Sequence, residues 1–370
     1  MKKTFKILLL FGSILFVVSC INKRVVEKKY VPSTDNQNSE HKLSLIMVGD
    51  ALIHGAIYKD AYINNDQYDF SEMFENIRPY VKNYDLAFYN QETIIGGKDL
   101  GLSTYPLFNS PEEIGDELVD VGFNMVSLAN NHTLDKGEKA ILHSLDYWNS
   151  KDVIYSGCSY SFEDRNNIET HSVNDIEIAF LSYTIFTNGL KVPNGKEYLV
   201  NIYSENQVKK DIEQVKDKVD IIIVSMHWGE EYNHEPNKNQ KQIAEYLSSL
   251  GVNIIIGHHP HVIQPIEYIN DTLVIYSLGN FISAQVGIEK LIGAMVSLEI
   301  KKVNYKGHVS VNISNVDTKL LYTYYKNFKD FKVIPFDILD DNILMGYKEL
   351  ESDYTSIIKK YDSTIKVNGS

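Results

Sequence analysis

Short apolar runs alternate with amphipathic segments along most of this chain. Runs typical of buried strands lie at 43–48, 85–89, 123–128, 176–182, 219–226, 252–256 and 273–278. Segments with the helical spacing of apolar residues lie between several of them, at 70–82, 111–121, 136–149, 204–215 and 239–250. This alternation predicts an α/β fold in which helices cover both faces of the sheet structure.

The pattern changes after residue 293. Residues 294–303 and 308–316 alternate apolar and polar positions, which is typical of strands with one solvated face and predicts a closing sheet edge. The segment 340–361 places its apolar residues on one side of a helix, which we expect to pack on the outside of the domain. We therefore predict one continuous domain over 42–325 and a C-terminal helical extension at 326–370.

The N-terminus reads as a targeting segment. Three lysines among the first six residues precede an apolar run at 7–18, which is typical of a secretory signal peptide, here residues 1–19. The sequence FVVSC, which ends at Cys20, resembles a bacterial lipobox, so we expect Cys20 to carry lipid; an ordinary cleaved signal is the alternative. Residues 20–41 are mostly polar and predict a disordered tether. The protein would then be anchored in the cell membrane, on its extracytoplasmic face.

Charge and cysteine content limit the partners and the kind of metal site. The formal net charge is −13 at pH 7, which argues against nucleic acid as a partner. Only Cys158 remains if Cys20 carries lipid, so a disulfide framework and a metal cage made of cysteines alone are excluded. Nitrogen and oxygen atoms must hold any bound metal.

Polar residues follow most of the strand-like runs. They are Asp50, His54, Glu92, Asn130, Asn131, His132, His227, Glu231, His258, His259 and His261. Because ligands bind at the carboxyl ends of strands in α/β sheets, we expect these side chains to meet in one crevice. A set of imidazoles, carboxylates and amide oxygens suits Zn, Mn or Fe, whereas Ca takes oxygen only. One carboxylate bridging two such ions would organise a dinuclear hydrolase site, so two divalent metal ions are the predicted cofactors.

Each of these residues also has a purely structural explanation. Asp50 could cap a helix or form a turn, and residues 130–131 could form a turn. The coincidence of so many polar groups at strand ends favours the metal site. Neither a GxSxG elbow nor a Walker-type glycine loop occurs in the sequence.

Six motifs resemble, in this order, the CapA or poly-γ-glutamate capsule biosynthesis family, which is related to the calcineurin-like metallophosphoesterases. They are VGD at 48–50, NQET at 90–93, SLANNH at 127–132, HWGEEY at 227–232, GHHPHVIQ at 257–264 and YSLGNF at 276–281. The resemblance covers about 43–283. It implies a calcineurin-like metallophosphoesterase fold, a four-layer α/β/β/α sandwich, here with a C-terminal extension.

The resemblance also implies roles for individual residues. Asp50 corresponds to the carboxylate of the first metal, and Glu92 occupies the place of the bridging carboxylate, where the wider superfamily usually has aspartate. Asn131 would bind the second metal, and His132 would act as general acid or contact a phosphate.

The histidines would complete both metal shells. His227 and two of His258, His259 and His261 are the implied ligands; the one-residue gap favours His259 and His261, with His258 as the alternative. His54 stands four residues after Asp50, whereas the superfamily places a histidine two residues after its aspartate. That departure leaves His54 as a ligand candidate by position, and it leaves open whether both metal places are filled.

Four further residues are predicted to meet the substrate. Glu231 would orient His227 or hold an ammonium group of the substrate. Asn130, Gln264 and Asn280 are predicted hydrogen-bonding groups at the rim.

The leading functional hypothesis is a membrane-anchored, extracytoplasmic metal-dependent hydrolase that acts on an envelope or capsule polymer, poly-γ-glutamate. One alternative is a capsule assembly or polymer-anchoring factor without catalysis. Another is a periplasmic phosphoesterase that acts on a small phosphate ester.

Overall fold

A computed structural model describes residues 26–27 and 38–368. The predicted signal peptide and the lipidation of Cys20 lie outside the described residues. The strands are β1 (Val26–Glu27), β2 (Ser39–Leu52), β3 (Tyr62–Asn64), β4 (Gln67–Tyr68), β5 (Leu86–Asn90), β6 (Met125–Ser127), β7 (Ile154–Ser156), β8 (Thr170–Val173), β9 (Ile176–Thr184), β10 (Ile221–His227), β11 (Ile254–His258), β12 (Ile266–Ile269), β13 (Thr272–Ile275), β14 (Asn280–Ser283), β15 (Ile292–Tyr305), β16 (His308–Lys326), β17 (Lys329–Pro335) and β18 (Lys366–Val367).

The helices lie mainly between these strands. The α-helices are α1 (Gly55–Asp60), α2 (Ser71–Phe74), α3 (Arg78–Val81), α4 (Glu113–Val121), α5 (Gly137–Asn149), α6 (Phe162–Asn166), α7 (Glu205–Val215), α8 (Lys238–Ser249), α9 (Ile288–Leu291) and α10 (Tyr347–Ile358). Short 3₁₀ helices occupy Lys98–Leu100, Glu197–Leu199 and Phe336–Ile338. None of the helices among the described residues combines the length and the hydropathy that a membrane span needs.

Two large sheets form the body of the protein. Within the described residues the larger sheet has ten strands, in the order β1-β16-β15-β2-β5-β6-β7, with β14 beside β2 and with β17 and β18 beside β16. The smaller sheet runs β12-β13-β11-β10-β9-β8. The strands β2, β5, β6 and β7 are parallel to one another, as are β9, β10, β11 and β13. The carboxyl ends of each parallel set therefore lie together at one edge of its sheet.

Buried apolar side chains separate four layers. Phe88 and Ile256 belong to the cluster between the two sheets. Leu118 and Trp148, from α4 and α5, pack on the outer face of the larger sheet, and Ile212 of α7 packs on the outer face of the smaller one. Each such buried side chain contributes about 1.5–3 kcal/mol. The predicted α/β/β/α sandwich is confirmed by this layering.

The strand β10 shows why the central runs are apolar throughout. Ile221 and Ile223 face the other sheet, whereas Ile222 and Val224 face the helices on the outside. Alternate residues of a strand point to opposite faces, and both faces are covered here. A continuous apolar run is the result.

The helix predicted over 70–82 is observed as two short helices, α2 and α3. Pro79 lies in the first turn of α3. Proline has no backbone N–H and cannot continue a helix that began earlier, so the helix restarts there. The predicted helices at 204–215 and 239–250 are present, and Ser204 and Asn237 cap them.

Both ends of the described chain contain more β-strand than the sequence predicted. The strand β2 already begins at Ser39, inside the predicted tether, because residues 39–41 pair with β15. β1 pairs with β16. The extension predicted as helical contains α10, but also β17 and β18, which both pair with β16. They cover backbone groups that would otherwise stand unpaired on this long strand.

Candidate metal centre

The parallel strands of both sheets end at a shared crevice. Asp50 lies in β2, Glu92 follows β5, and the loop after β6 carries His132. His227 and His258 are the last residues of β10 and β11. All five side chains are buried. The predicted meeting of strand ends is therefore what the structure shows.

The tightest group consists of Glu92, His259 and His261. One potential ligand atom of each lies within 4.8 Å of the others. The Oε1 atom of Glu92 is 3.6 Å from Nε2 of His261 and 3.7 Å from Nε2 of His227. The Glu92 carboxylate thus stands among three imidazoles.

Asp50 is a buried carboxylate that contacts several of the histidines. Its Oδ1 lies 3.2 Å from Nδ1 of His258 and accepts a hydrogen bond of 2.8 Å from Asn90. Its Oδ2 lies 3.3 Å from Nδ1 of His261 and accepts from the backbone N–H of His259 at 3.2 Å. Burial alone would raise the pKa of this carboxyl, but hydrogen bonds with His258 and His261 hold it well below its ordinary value.

Several buried polar atoms at the centre have no hydrogen-bond partner among the described residues. They include both carboxylate oxygens of Glu92, Oδ1 of Asn131, Nε2 of His227 and Nδ1 of His259. Burying such atoms unpaired is costly. A bound cation would satisfy them, and this mixture of carboxylate, imidazole and amide oxygen fits Zn, Mn or Fe.

The protonation states also suit a cation. Burial lowers the pKa of His227 well below its ordinary value and that of His259 to about 3, so both imidazoles are in the neutral form that binds metal. Burial raises the pKa of Glu92 well above its ordinary value. Burial disfavours charge on His261 as well, but Glu92 and Asp50 raise its pKa to about 9. Metal binding would displace the proton of His261.

Two of the imidazoles belong to residues with strained backbone conformations. His259 has a φ of +96° and His261 a φ of +58°, in the left-handed region that residues other than glycine rarely adopt. Such conformations cost on the order of 1–3 kcal/mol each and concentrate at functional sites. The hydrogen bond from His259 N–H to Asp50 helps to hold this turn.

Two glycines allow the strands to approach closely beneath the site. A Cβ atom on Gly49 would lie 1.8 Å from the carbonyl oxygen of Gly279, and one on Gly257 would lie 1.9 Å from that of Tyr276. Only glycine fits at either place. The residues that follow them are Asp50 and His258.

His132 belongs to a dyad with Asp135, a residue without a predicted role. Nδ1 of His132 lies 2.7 Å from Oδ2 of Asp135, which also accepts from the backbone N–H of Phe108 at 2.7 Å. The Phe108 ring packs edge-on against the imidazole. Because Nδ1 meets the carboxylate, Nε2 is the ring nitrogen left for a substrate. The only sequence signal was an acid three residues after His132.

Asn90 is a second residue without a predicted role. Its Nδ2 donates to Asp50 and lies 3.5 Å from Nδ1 of His227. It therefore orients one acid and one imidazole across the two sheets.

His54 has local partners for one of its two ring nitrogens, and its place as a metal ligand stays a prediction. Its Nδ1 lies 3.1 Å from the carbonyl oxygen of Leu52 and 3.4 Å from the backbone nitrogen of Ala284. Four residues after Asp50, the chain has already left β2 and is beginning α1, which carries the imidazole past the strand end. Burial lowers the pKa of His54 to about 4.

Two of the predicted substrate contacts use their amides within the protein. Asn130 accepts from the backbone N–H of His132 and donates to the carbonyl oxygen of Gln91, both at 2.9 Å, so it shapes the turn that carries His132. Gln264 is buried and pairs with the Gln240 side chain at 2.7 Å and with a backbone carbonyl oxygen at 2.7 Å. The structure gives both residues supporting roles.

Asn280 and Glu231 act on His261. Oδ1 of Asn280 lies 3.0 Å from Nδ1 of His261, which orients that ring. Glu231 is exposed at the rim, and its charge helps to raise the pKa of His261 after the larger effects of Glu92 and Asp50. Asn90 is a side chain beside Nδ1 of His227; the alternative role of Glu231, holding an ammonium group of the substrate, stays a prediction.

Comparison with known proteins adds to this geometry. The chain is 28% identical over 285 residues to "Capsule biosynthesis protein CapA" of Bacillus anthracis, covering 73% of this chain and 67% of the relative. It is 32% identical over 237 residues to "PGA biosynthesis protein CapA" of Bacillus subtilis, covering 62% of this chain and 57% of the relative. The alignments therefore span 57% to 67% of these relatives. The structure is also similar to that of a putative 5′-nucleotidase from Staphylococcus aureus, with a TM-score of 0.47, 17% identity, and coverage of 84% of this chain and 58% of that one.

A match to a protein-family model identifies the family of this chain. Residues 44–285 match the model described as bacterial capsule synthesis protein PGA_cap, and this range contains all six motifs quoted above. The match covers more than half of the chain. The protein belongs to this family of bacterial capsule synthesis proteins.

Proposed function

We propose that this protein is a metal-dependent hydrolase that acts on a capsule polymer and is held on the extracytoplasmic face of the cell membrane by lipid on Cys20. The observation that carries the proposal is the buried group of Glu92, His259 and His261, whose ligand atoms lie within 4.8 Å of one another. A cleft that only binds polymer needs no buried carboxylate without a hydrogen-bond partner. Nor does it need an imidazole–carboxylate dyad beside it.

The residues at the crevice divide into two roles. Glu92 and Asp50, with Asn131, His227, His259 and His261, would hold two divalent cations. Bound cations of this kind supply Lewis acidity, which polarises a substrate oxygen and activates water. The imidazolium form of His132 donates its Nε2 proton to the leaving group, and Asp135, which accepts a hydrogen bond from Nδ1, holds the ring in orientation. Asn90 holds the side chains of Asp50 and His227 in position relative to each other.

The names of the two Bacillus relatives, which refer to capsule and PGA biosynthesis, support a capsule polymer as the substrate. Poly-γ-glutamate carries a carboxylate on each residue, so it needs a cationic site on a protein whose net charge is −13. Two divalent cations would supply that local positive charge.

The test uses the full chain, purified in detergent and loaded with Mn²⁺. Incubation with poly-γ-glutamate should shorten the polymer, measured by size-exclusion chromatography and by release of free amino groups. His132→Ala should abolish the shortening, and His143→Ala, at a surface histidine paired with Glu112, should not. Polymer that is bound but left intact would favour the assembly factor. Hydrolysis of aryl phosphates alone would favour the phosphoesterase.

Anchoring has a separate test. Cys20→Ser should move the protein from the membrane fraction to the soluble fraction after cell lysis, because no acyl chain can then be attached. Unchanged retention on membranes would contradict the lipid anchor and leave the proposed chemistry untouched.

A further inference from the structure

The loop after β9 places an asparagine at the edge of the crevice. Asn188 and Gly189 have φ values of +49° and +79°. The backbone N–H of Leu190 donates to the Thr187 carbonyl oxygen at 2.9 Å, and the Thr187 hydroxyl donates to the Leu190 carbonyl oxygen at 2.6 Å. Two consecutive left-handed residues with the sequence Asn-Gly are typical of a type I′ turn. The Asn188 side chain therefore projects from a well-defined backbone.

This turn contacts the candidate metal centre directly. Oδ1 of Asn188 accepts a hydrogen bond of 3.3 Å from Nδ2 of Asn131. Nδ2 of Asn188 lies 3.5 Å from Nδ1 of His132. Two residues earlier, Phe186 packs its ring 4.7 Å from that of His259. The loop thus touches both the residue proposed for the second cation and the dyad.

The contact to Asn131 decides which end of its amide faces the crevice. An asparagine side chain ends in an oxygen, which binds cations, and an NH₂ group, which does not. The NH₂ group of Asn131 is taken by Asn188, and its Oδ1 is buried without a partner. A rotation of the Asn131 amide by half a turn would point its NH₂ group at the site proposed for the second cation. While Asn188 presents its oxygen to Asn131, that rotation would bring two amide oxygens face to face.

We propose that Asn188 is a positioning residue that fixes the amide orientation of Asn131 and so completes the second cation place. This inference rests on the proposed function, since it assumes that Asn131 binds a cation. Glycine adopts the backbone conformation of this turn equally well. The proposed role therefore depends on the side chain of Asn188 and not on its backbone.

The experiment measures Mn²⁺ binding to the full chain in detergent, by titration calorimetry after removal of metal with a chelator, and by electron paramagnetic resonance. Asn188→Gly deletes the amide and keeps the left-handed backbone. Asn188→Asp keeps an acceptor for Asn131 and also tolerates this conformation. Asn65→Gly is the matched control, because Asn65 has a φ of +47° in the exposed turn between β3 and β4.

The wild-type protein, Asn65→Gly and Asn188→Asp should each bind two Mn²⁺ ions and give the spectrum of a magnetically coupled pair. Asn188→Gly should keep the first ion and bind the second about 10- to 100-fold more weakly, as expected for loss of a group that orients a ligand. Its spectrum should be that of isolated ions at concentrations where the wild type is coupled.

The two proposals fail differently. Wild-type protein that binds no Mn²⁺ would refute the proposed function, and this inference with it. If the wild type binds two ions and Asn188→Gly binds both with the same affinity, or loses both together, only the role of Asn188 is refuted. Failure of Asn188→Asp to restore the second ion would also refute it.

Discussion

The two sheets bring different chemistry to the same crevice. Strands β2 and β5 of the larger sheet lead to the carboxylates of Asp50 and Glu92, whereas β10 and β11 of the smaller sheet lead to His227, His259 and His261. Asp50 lies within β2 beside a shift in its register with β5, and Glu92 follows β5, while His259 and His261 stand on strained backbone. The Glu92 carboxylate is buried without a hydrogen-bond partner among the described residues, and imidazoles of the smaller sheet lie 3.6 and 3.7 Å from it. The cation group therefore exists only where the sheets face each other.

The proton-transfer group does not share this dependence. His132 and Asp135 both come from the loop after β6, on the larger sheet, and their contact of 2.7 Å needs nothing from the smaller one. Cation binding is thus a property of the interface between the sheets. The general acid is oriented mainly by Asp135 of its own loop, with which Phe108 also bonds, so the two functions can be separated by mutation.

The largest expected effect comes from Glu92→Gln, which removes the charge at the centre of the inter-sheet group and keeps its size. Affinity for Mn²⁺ should fall by at least about 100-fold, more than the loss of a supporting residue causes. Titration calorimetry measures this. Glu163→Gln, on the exposed surface of α6, is the control. Unchanged affinity in Glu92→Gln would exclude Glu92 as a metal ligand.

A pair of neighbouring substitutions tests the sheet interface itself. Ile223→Ala and Ile222→Ala each delete a buried side chain and should each cost about 2–5 kcal/mol of unfolding free energy in urea. Only Ile223 faces the other sheet. Ile223→Ala should therefore weaken Mn²⁺ binding, and Ile222→Ala should leave it unchanged. Equal effects on metal binding would mean that the sheets are not coupled at the crevice.

Asp135→Asn should separate catalysis from binding. We expect polymer hydrolysis to fall about 10- to 100-fold, because His132 loses the carboxylate that orients it, while Mn²⁺ affinity stays at the wild-type value. Rates from amino-group release and affinities from calorimetry on the same preparation provide the measurement. A parallel loss of metal would place the dyad within the cation group.

The smallest effect at neutral pH is expected from His54→Gln. Burial lowers the pKa of His54 to about 4 from 6.5, so between these values the unfolded chain binds more protons than the folded one. Stability should therefore fall by up to about 3 kcal/mol as the pH drops from 6.5 to 4. Glutamine cannot take up that proton, so the variant should lose less. Urea unfolding at pH 7 and pH 4.5 checks this, and a smaller loss in the wild type would contradict it.

Much of the crevice could be predicted because it depends on strand ends. A parallel strand fixes where its last residue lies, so Asp50, Glu92, His227 and His261 could be brought together from apolar runs and motif order alone. The same runs predicted helices on both faces of the sheet structure, whereas the four-layer sandwich was predicted from the resemblance of the six motifs to a known family. The sequence also indicated the longer helices, but not the short helices α1, α6 and α9 or the break that Pro79 introduces.

The supporting residues could not be predicted, because loop conformation selects them. Asp135 meets His132 only through the turn that Asn130 shapes, and the Asn188-Gly189 pair indicates a turn without saying what the turn will touch. His54 shows the same limit. Its place in the sequence made it a ligand candidate, but the sequence did not indicate that α1 begins directly after it.

Gly49 and Gly279 meet through their main chains alone, at a place where a methyl group would lie 1.8 Å from a carbonyl oxygen. The next residue after each is Asp50 or Asn280, and both of these side chains contact His261. Alanine at Gly49 would push the two backbones apart and separate Asp50 from Asn280, which both contact His261. Adding a single carbon to a residue without a functional side chain can therefore disable the crevice. Efforts to reshape it should keep Gly49 and Gly279 and vary the loops at its rim.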